Sequence, residues 1–111
     1  MIVSFHTQDL QRQCISISEA EKALGRVNSV ELFRVIAEIE AQANGQELLA
    51  FLGEDALVGE DDTLTISLSA DRVSTFIVAG KQFQKDDDGR VRWESVTRLK
   101  LMSIEGCHGC K

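Results

Sequence analysis

The spacing of apolar residues changes halfway along the chain, and this change constrains the fold more than any other feature. Between residues 9 and 52, apolar residues occur every three or four positions, which is typical of amphipathic helices. Beyond them, Leu64, Ile66 and Leu68 alternate with polar residues, as in a strand with one buried face. Residues 1–6 are short, apolar and β-branched, and indicate one strand before the helices. The order predicts an α+β fold, with a helical hairpin on one face of a mainly antiparallel sheet.

Local signals predict the ends of the helices. Ser16, with Glu19 three residues later, fits a capping box, so the helix over residues 9–24 is predicted to restart there. Asn28 is predicted to cap the next helix, and Asn44-Gly45 to end it. That helix has an apolar stripe at helical spacing, formed by Leu32, Val35, Ile36, Ile39 and Ala43. Residues 46–52 predict one or two further helical turns.

The second half of the chain is predicted to form strands joined by turns. Residues 54–62 are an acidic loop, and residues 69–72 a turn. The apolar end of the strand over residues 73–79 predicts a central strand covered on both faces. Asp86 to Gly89 predict the turn of a hairpin. The last strand is predicted over residues 98–104.

Composition limits the class of protein. The 111 residues are enough for one domain, spanning residues 1–111. No apolar run approaches the ~20 residues that cross a bilayer, and no secretory signal is recognisable, so we expect no membrane partner and a cytoplasmic location. The net charge of −6 argues against ribosome or RNA binding, because contacts to phosphate usually require a basic surface. A local basic patch would still permit such binding.

The C-terminal region carries a resemblance. Trp93, Val96 and Thr97 are followed by the aliphatic strand and by His108. This arrangement resembles the C-terminal signature of the RelE superfamily, in particular the HigB-like plasmid-maintenance killer toxins, and residues 1–5, 47–53 and 81–93 also resemble that subgroup. The resemblance implies a RelE-like fold, a small antitoxin partner that often has a helix-turn-helix domain, and an endoribonuclease that cuts mRNA on the ribosome. We expect no cofactor.

The active region departs from this pattern. The toxins have a basic loop before the second strand, but here Val58 and Asp61 replace its lysine and arginine. On the next hairpin the family places an aromatic residue and then arginine, where this chain has Arg72 and Val73. Cutting RNA requires a base, an acid and cations for the phosphorane charge. Two hypotheses follow: a toxin-like mRNA interferase, or a catalytically inactive RelE-fold binding or regulatory module.

Candidate site residues follow from the resemblance. His108 is the predicted acid or base, and Arg72 the predicted phosphate ligand. RNA-backbone contacts are predicted from three cations, Arg92, Arg98 and Lys100. With Arg90, these three alternate along adjacent predicted strands and could form a one-sided basic stripe. An exposed sheet face explains the stripe equally well, and a plain tail residue explains His108.

Three other features have competing interpretations. Cys107, His108 and Cys110 could bind a metal, but structural zinc sites usually take four ligands, so we predict no metal. Trp93 could stack on a base or cover the sheet. The carboxylates of residues 54–62 do not have the spacing of an EF-hand, which favours a solvated loop.

Overall fold

A computed structural model describes residues 1–106 as four α-helices and one five-stranded sheet. In chain order, the elements are β1 (Ile2–Phe5), α1 (Gln8–Ile15), α2 (Ile17–Leu24), α3 (Arg26–Ala41), α4 (Gly45–Leu52), β2 (Ala56–Val58), β3 (Leu64–Ser69), β4 (Arg72–Val78) and β5 (Arg98–Gly106). The strand order is β1-β5-β4-β3-β2. Only β1 and β5 pair in parallel, so the predicted α+β class with a mainly antiparallel sheet is confirmed. Among these residues, every helix is too short or too polar to cross a membrane.

The predicted restart of the first helical region is confirmed. Ser16 separates α1 from α2, and its Oγ accepts a hydrogen bond from the N–H of Glu19 at 3.4 Å. This bond satisfies one of the N–H groups that lack a partner in the first turn of a helix. Gly25 ends α2 with a φ of +84°, a conformation that glycine adopts without steric cost.

Two predicted helix boundaries are wrong. Asn28 does not cap α3, because that helix begins at Arg26 directly after Gly25. Instead, the Asn28 side chain donates to the carbonyl of Leu24, and its Oδ1 lies 2.6 Å from the Oγ of Ser69. Asn44 does not end α3 but caps α4, where its side chain accepts from an N–H in the first turn. A short polar side chain between two helices can bond to the end of one helix or to the start of the next. Tertiary packing decides which of the two bonds forms.

The core lies between the helices and one face of the sheet. Burial alternates strictly along β3, where Leu64, Ile66 and Leu68 are buried. The covering helices contribute residues that include Leu32, Val35, Ile36 and Ile39 of the predicted stripe, but Ala43 lies beyond the end of α3 and is exposed. The other face is open within the described residues. The expectation that β4 is covered on both faces is therefore wrong, because Ile77 is 36% exposed.

A long loop, residues 79–97, joins β4 to β5. It contains the predicted turn, in which the Oδ1 of Asp86 accepts hydrogen bonds from the N–H groups of Asp88 and Arg90, each at 3.0 Å. Only one bridge, between Lys85 and Val91, pairs its two arms. Residues 54–62 likewise are not all loop, because they include the short strand β2.

Candidate functional site

Arg98 and Lys100 lie on the open face of the sheet. Leu99 and Leu101 between and beyond them are fully buried, so alternation along β5 directs the two cations away from the core. The register places Arg98 beside Ile2 and Lys100 beside Ser4 of β1. The predicted one-sided arrangement therefore holds for these two residues.

A cavity of about 370 Å³ opens beside Arg98. Ile2, Ser4 and Thr97 form part of its lining, and residues 79–83 of the long loop form one wall. That wall adds a third cation, Lys81, and none of the lining residues within the range 1–106 carries a carboxylate. We call the cavity, with Lys81, Arg98 and the adjacent Lys100, the cationic groove.

The cations of the groove are not paired with acids in the part of the chain that the structure describes. Within residues 1–106, salt bridges occupy cations elsewhere on the chain, namely Arg12, Lys22, Arg34, Arg90 and Arg92. In the same part of the chain, Lys81, Arg98 and Lys100 form no salt bridge. An incoming anion would therefore meet three cations without displacing a carboxylate, although the net charge of the chain is −6.

Gly80 brings the wall of the groove close to Arg98. Its φ is +81°, and a Cβ at this position would lie 3.1 Å from the Cδ of Arg98. Any larger residue would be strained and would also press on the arginine stem. A glycine therefore sets how closely the Lys81 segment approaches β5.

Arg90 and Arg92 do not extend this surface. Both lie in the long loop rather than on a strand, so the predicted alternation of four cations along adjacent strands is wrong for them. The Nε of Arg92 donates to Glu94 at 3.0 Å. The pKa of Glu94 is lowered, first by its own backbone N–H and then by Arg92. Arg90 is held by Asp62.

Arg72 lies far from the groove. It is the first residue of β4 and pairs with Gly106, whereas Ala79 beyond the other end of β4 bonds to the carbonyl of Arg98. At about 3.3 Å per residue, the stretch from Arg72 to Ala79 spans roughly 23 Å. Alternation along β4 places Arg72 with Ser74 on the helix-covered side. His108, the other predicted catalytic residue, lies outside the described residues, as do Cys107 and Cys110.

The acidic loop occupies the position where the resemblance implies a basic one. The pKa of Asp61 is lowered, mainly by hydrogen bonds from Thr63, so this carboxylate is charged at neutral pH. Asp62 binds Arg90 and so brings the loop against residues 86–90 of the long loop, which carry Asp86, Asp87 and Asp88. These charges would repel a scissile phosphate instead of stabilising it.

Trp93 packs against the helices. It contacts the core while partly buried, and a Cβ on Gly45 would lie 2.7 Å from its Cε3. The N–H of Gly45 also donates to the carbonyl of Val96 at 2.8 Å. The contacts favour the covering role over base stacking, and they explain why glycine begins α4.

No metal centre is assembled within residues 1–106, where no three histidine, cysteine or acidic side chains could share an ion. Cys14 is buried among apolar side chains of the core, and burial raises the pKa of its thiol to about 12. The neutral thiol is a poor nucleophile and a poor metal ligand.

Sequence reasoning missed Lys81. Its neighbours carry no motif, and only the pairing of β4 with β5 brings the start of the long loop beside Arg98. Comparison of the chain with protein-family models, with curated proteins and with solved structures found no match. The resemblance to the RelE superfamily stays a prediction from the motifs.

Proposed function

We propose that this chain is a RelE-like domain that binds RNA through its phosphates without cutting it. The observation that carries the proposal is the cationic groove: Lys81, Arg98 and Lys100 lie together and form no salt bridge within residues 1–106. Contacts of lysine and arginine to phosphate supply most of the affinity of non-specific RNA binders. The groove lies on the open face of the sheet, which single-stranded RNA can reach.

The absence of cutting follows from where the other charges lie. Cleavage through the 2′-hydroxyl requires an acid, a base and a cation around one phosphate. Arg72 is roughly 23 Å along the strand from Arg98 and belongs to the other side of the sheet. The carboxylates of Glu60 and Asp61 stand where the HigB-like toxins have a basic loop. This arrangement favours the inactive binding module of the two hypotheses.

A second candidate, the ribosome-dependent mRNA interferase, is favoured by one observation. Arg72 pairs with Gly106 at the end of β5, and His108 lies two positions after Gly106 in the sequence. On this proposal the antitoxin implied by the resemblance would protect the host cell. Growth arrest on expression, relieved by His108→Ala, would support this candidate over the first.

The first experiment measures RNA binding by a variant that lacks all three groove cations, Lys81→Ala/Arg98→Ala/Lys100→Ala. A matched control removes three cations from the helices, Arg12→Ala/Lys22→Ala/Arg26→Ala, with the same change in net charge. We expect the groove variant to lose at least about tenfold in affinity for a short oligouridylate. The slope of the logarithm of affinity against the logarithm of salt concentration should become shallower, by an amount that corresponds to about two to three lost phosphate contacts. The control should bind nearly as tightly as the wild type.

Equal losses of RNA affinity in the two triple variants would contradict binding at the groove, because the overall charge of the chain would then explain the binding. A reconstituted translation reaction completes the test. Intact mRNA at high concentrations of the chain supports binding without cutting. Cleavage that requires translating ribosomes would replace the first candidate with the second.

A further inference from the structure

Asp62 ties the long loop to the connection between β2 and β3. The Nε of Arg90 donates to the Oδ1 of Asp62 at 3.0 Å, and the N–H of Val91 donates to its Oδ2 at 3.3 Å. A second nitrogen of Arg90 donates to the carbonyl of Gly59 at 3.0 Å. Both carboxylate oxygens of Asp62 are thus used, and its side chain is only 14% exposed. We call these contacts the Asp62–Arg90 clasp.

The backbone of Asp62 is unusual. Its φ is +63°, and it is the only residue other than glycine with a positive φ among residues 1–106. The left-handed conformation costs an L-residue free energy, and it persists where the surrounding contacts hold it in place. At Asp62 those contacts are of two kinds. The clasp holds the side chain, and the turn between β2 and β3 holds the backbone, where the N–H of Asp62 donates to the carbonyl of Gly59 at 3.1 Å.

The groove wall depends on how the ends of its segment are held. Ala79 donates to the carbonyl of Arg98 at 3.0 Å, and Gln84 donates to the hydroxyl of Ser95 at 2.8 Å. Between them, residues 80–83 form no hydrogen bond to any other residue in the range 1–106. Phe83 packs against the core and lines both the groove and a second cleft bordered by Asp62 and Val91. Among the described residues, no hydrogen bond or salt bridge holds the side chain of Lys81.

We infer that the Asp62–Arg90 clasp positions Lys81 for phosphate binding in the cationic groove. The inference rests on the RNA-binding function proposed above. Asp62 is then a positioning residue, an acid that strengthens the binding of a polyanion although its own charge repels one. Release of the clasp would detach Arg90 and Val91 from Asp62. The long loop would then be held less firmly, and its residues 79–83 could move away from Arg98.

The sign of one substitution separates positioning from simple electrostatics. Asp62→Asn removes one negative charge and weakens the clasp, whereas Asp61→Asn removes the same charge beside it and leaves the clasp intact. Electrostatics alone predicts tighter RNA binding by both variants. Positioning predicts weaker binding by Asp62→Asn only.

The experiment uses hydrogen exchange without RNA and fluorescence anisotropy with a labelled oligouridylate. Since bonds to a charged group are weakened, we expect the hydrogen-bonded amides of residues 84–92 to exchange about tenfold faster in Asp62→Asn than in the wild type. We expect the RNA affinity of this variant to fall several-fold. Asp61→Asn should exchange like the wild type and bind equally or slightly more tightly.

A double-mutant cycle tests whether Lys81 transmits the effect. In a Lys81→Ala background, Asp62→Asn should no longer weaken binding, because the contact it positions is already gone. Arg90→Gln breaks the clasp at its other partner, whose side chain is more exposed than that of Asp62. This variant keeps the test possible if Asp62→Asn fails to fold. Either clasp variant is compared at a temperature where thermal unfolding shows it to be native.

Three results would overturn the inference. Unchanged exchange in both clasp variants would mean that other contacts hold the loop. The clasp variants could exchange faster and yet bind RNA as tightly as Asp61→Asn does. That result would mean that the clasp holds the loop but does not position Lys81. Failure of the wild type to bind RNA would remove the proposed function itself, and this outcome is distinct because it requires no variant.

Discussion

The helix-covered face and the open face of the sheet have different chemistry along the same strand. On β5, Leu99 and Leu101 are fully buried under the helices, while the alternating Arg98 and Lys100 reach the open side. On β4, Ser74 is buried and bonded, whereas Ile77 is exposed. Burial demands apolar or hydrogen-bonded groups on one side, and the other side is free to carry charge.

The difference teaches where binding residues should be sought. Arg72, assigned from the family pattern, belongs by alternation to the covered side and to the far end of β4. Arg98 and Lys100 are predicted from the alternation of cations along strands. Both lie on the open side, where Arg98 lines the same cavity as Lys81. A cation contributes to a polyanion site only where several converge on an accessible surface, so position on the sheet decides between the two groups.

Adjacent residues on β5 allow the largest test of this comparison. Leu101→Ala should lower the free energy of unfolding by about 3 kcal/mol, because it removes a fully buried side chain and leaves a cavity. Lys100→Ala, one residue away, should change it by less than about 0.5 kcal/mol while weakening RNA binding. Urea denaturation measures both. A large loss of stability in Lys100→Ala would mean that the open face is also structural.

A matched pair of serines gives a smaller contrast. The hydroxyl of the buried Ser74 donates to the carbonyl of Ile66 at 2.9 Å, so Ser74→Ala should lower the free energy of unfolding by about 1 kcal/mol. Ser103 pairs with Thr75 on the open side, and its hydroxyl donates to Glu105. Ser103→Ala makes the same chemical change and should cost less than about 0.5 kcal/mol. Equal shifts in the urea midpoint would show that burial does not separate the two faces.

The sequence predicts many of the residues on the helix-covered side of the sheet and few of those on the open face. Periodicity located Leu32, Val35, Ile36 and Ile39, because burial on one side of a helix or strand leaves a regular pattern. Boundaries failed at Asn28 and Asn44, where the same side chain can bond within its own helix, to the next one, or to another element. Those choices depend on tertiary contacts such as the one between Asn28 and Ser69.

The groove was only half predictable, for a related reason. Arg98 and Lys100 lie on a strand, so alternation alone places them on one face. Lys81 lies in a loop without periodicity, and the clasp at Asp62 joins residues 28 positions apart in the sequence. Neither leaves a local pattern, since both arise from how the long loop folds back on the sheet.

Asp71 offers the smallest test, at the edge where the covered side meets solvent. Its Oδ1 accepts a hydrogen bond from the hydroxyl of Ser69 at 2.7 Å, and this bond is the main cause of its lowered pKa. A carboxylate with a lowered pKa stabilises the fold above its unfolded pKa of about 3.8. That contribution is lost as the pH falls through the lower pKa of the folded state.

Asp71→Asn should therefore be slightly less stable than the wild type near neutral pH, and the difference should vanish in acid. Urea denaturation at neutral pH and in strong acid, below the lowered pKa of the folded state, measures the change. Asp87→Asn serves as the control, because it removes the same charge from the hairpin turn, where the structure gives Asp87 no side-chain hydrogen bond within residues 1–106. A difference between Asp71→Asn and the wild type that persists in strong acid would assign the loss to the amide itself. The charge at the covered edge would then have no part in the fold, and the contrast between the two faces would rest on burial alone.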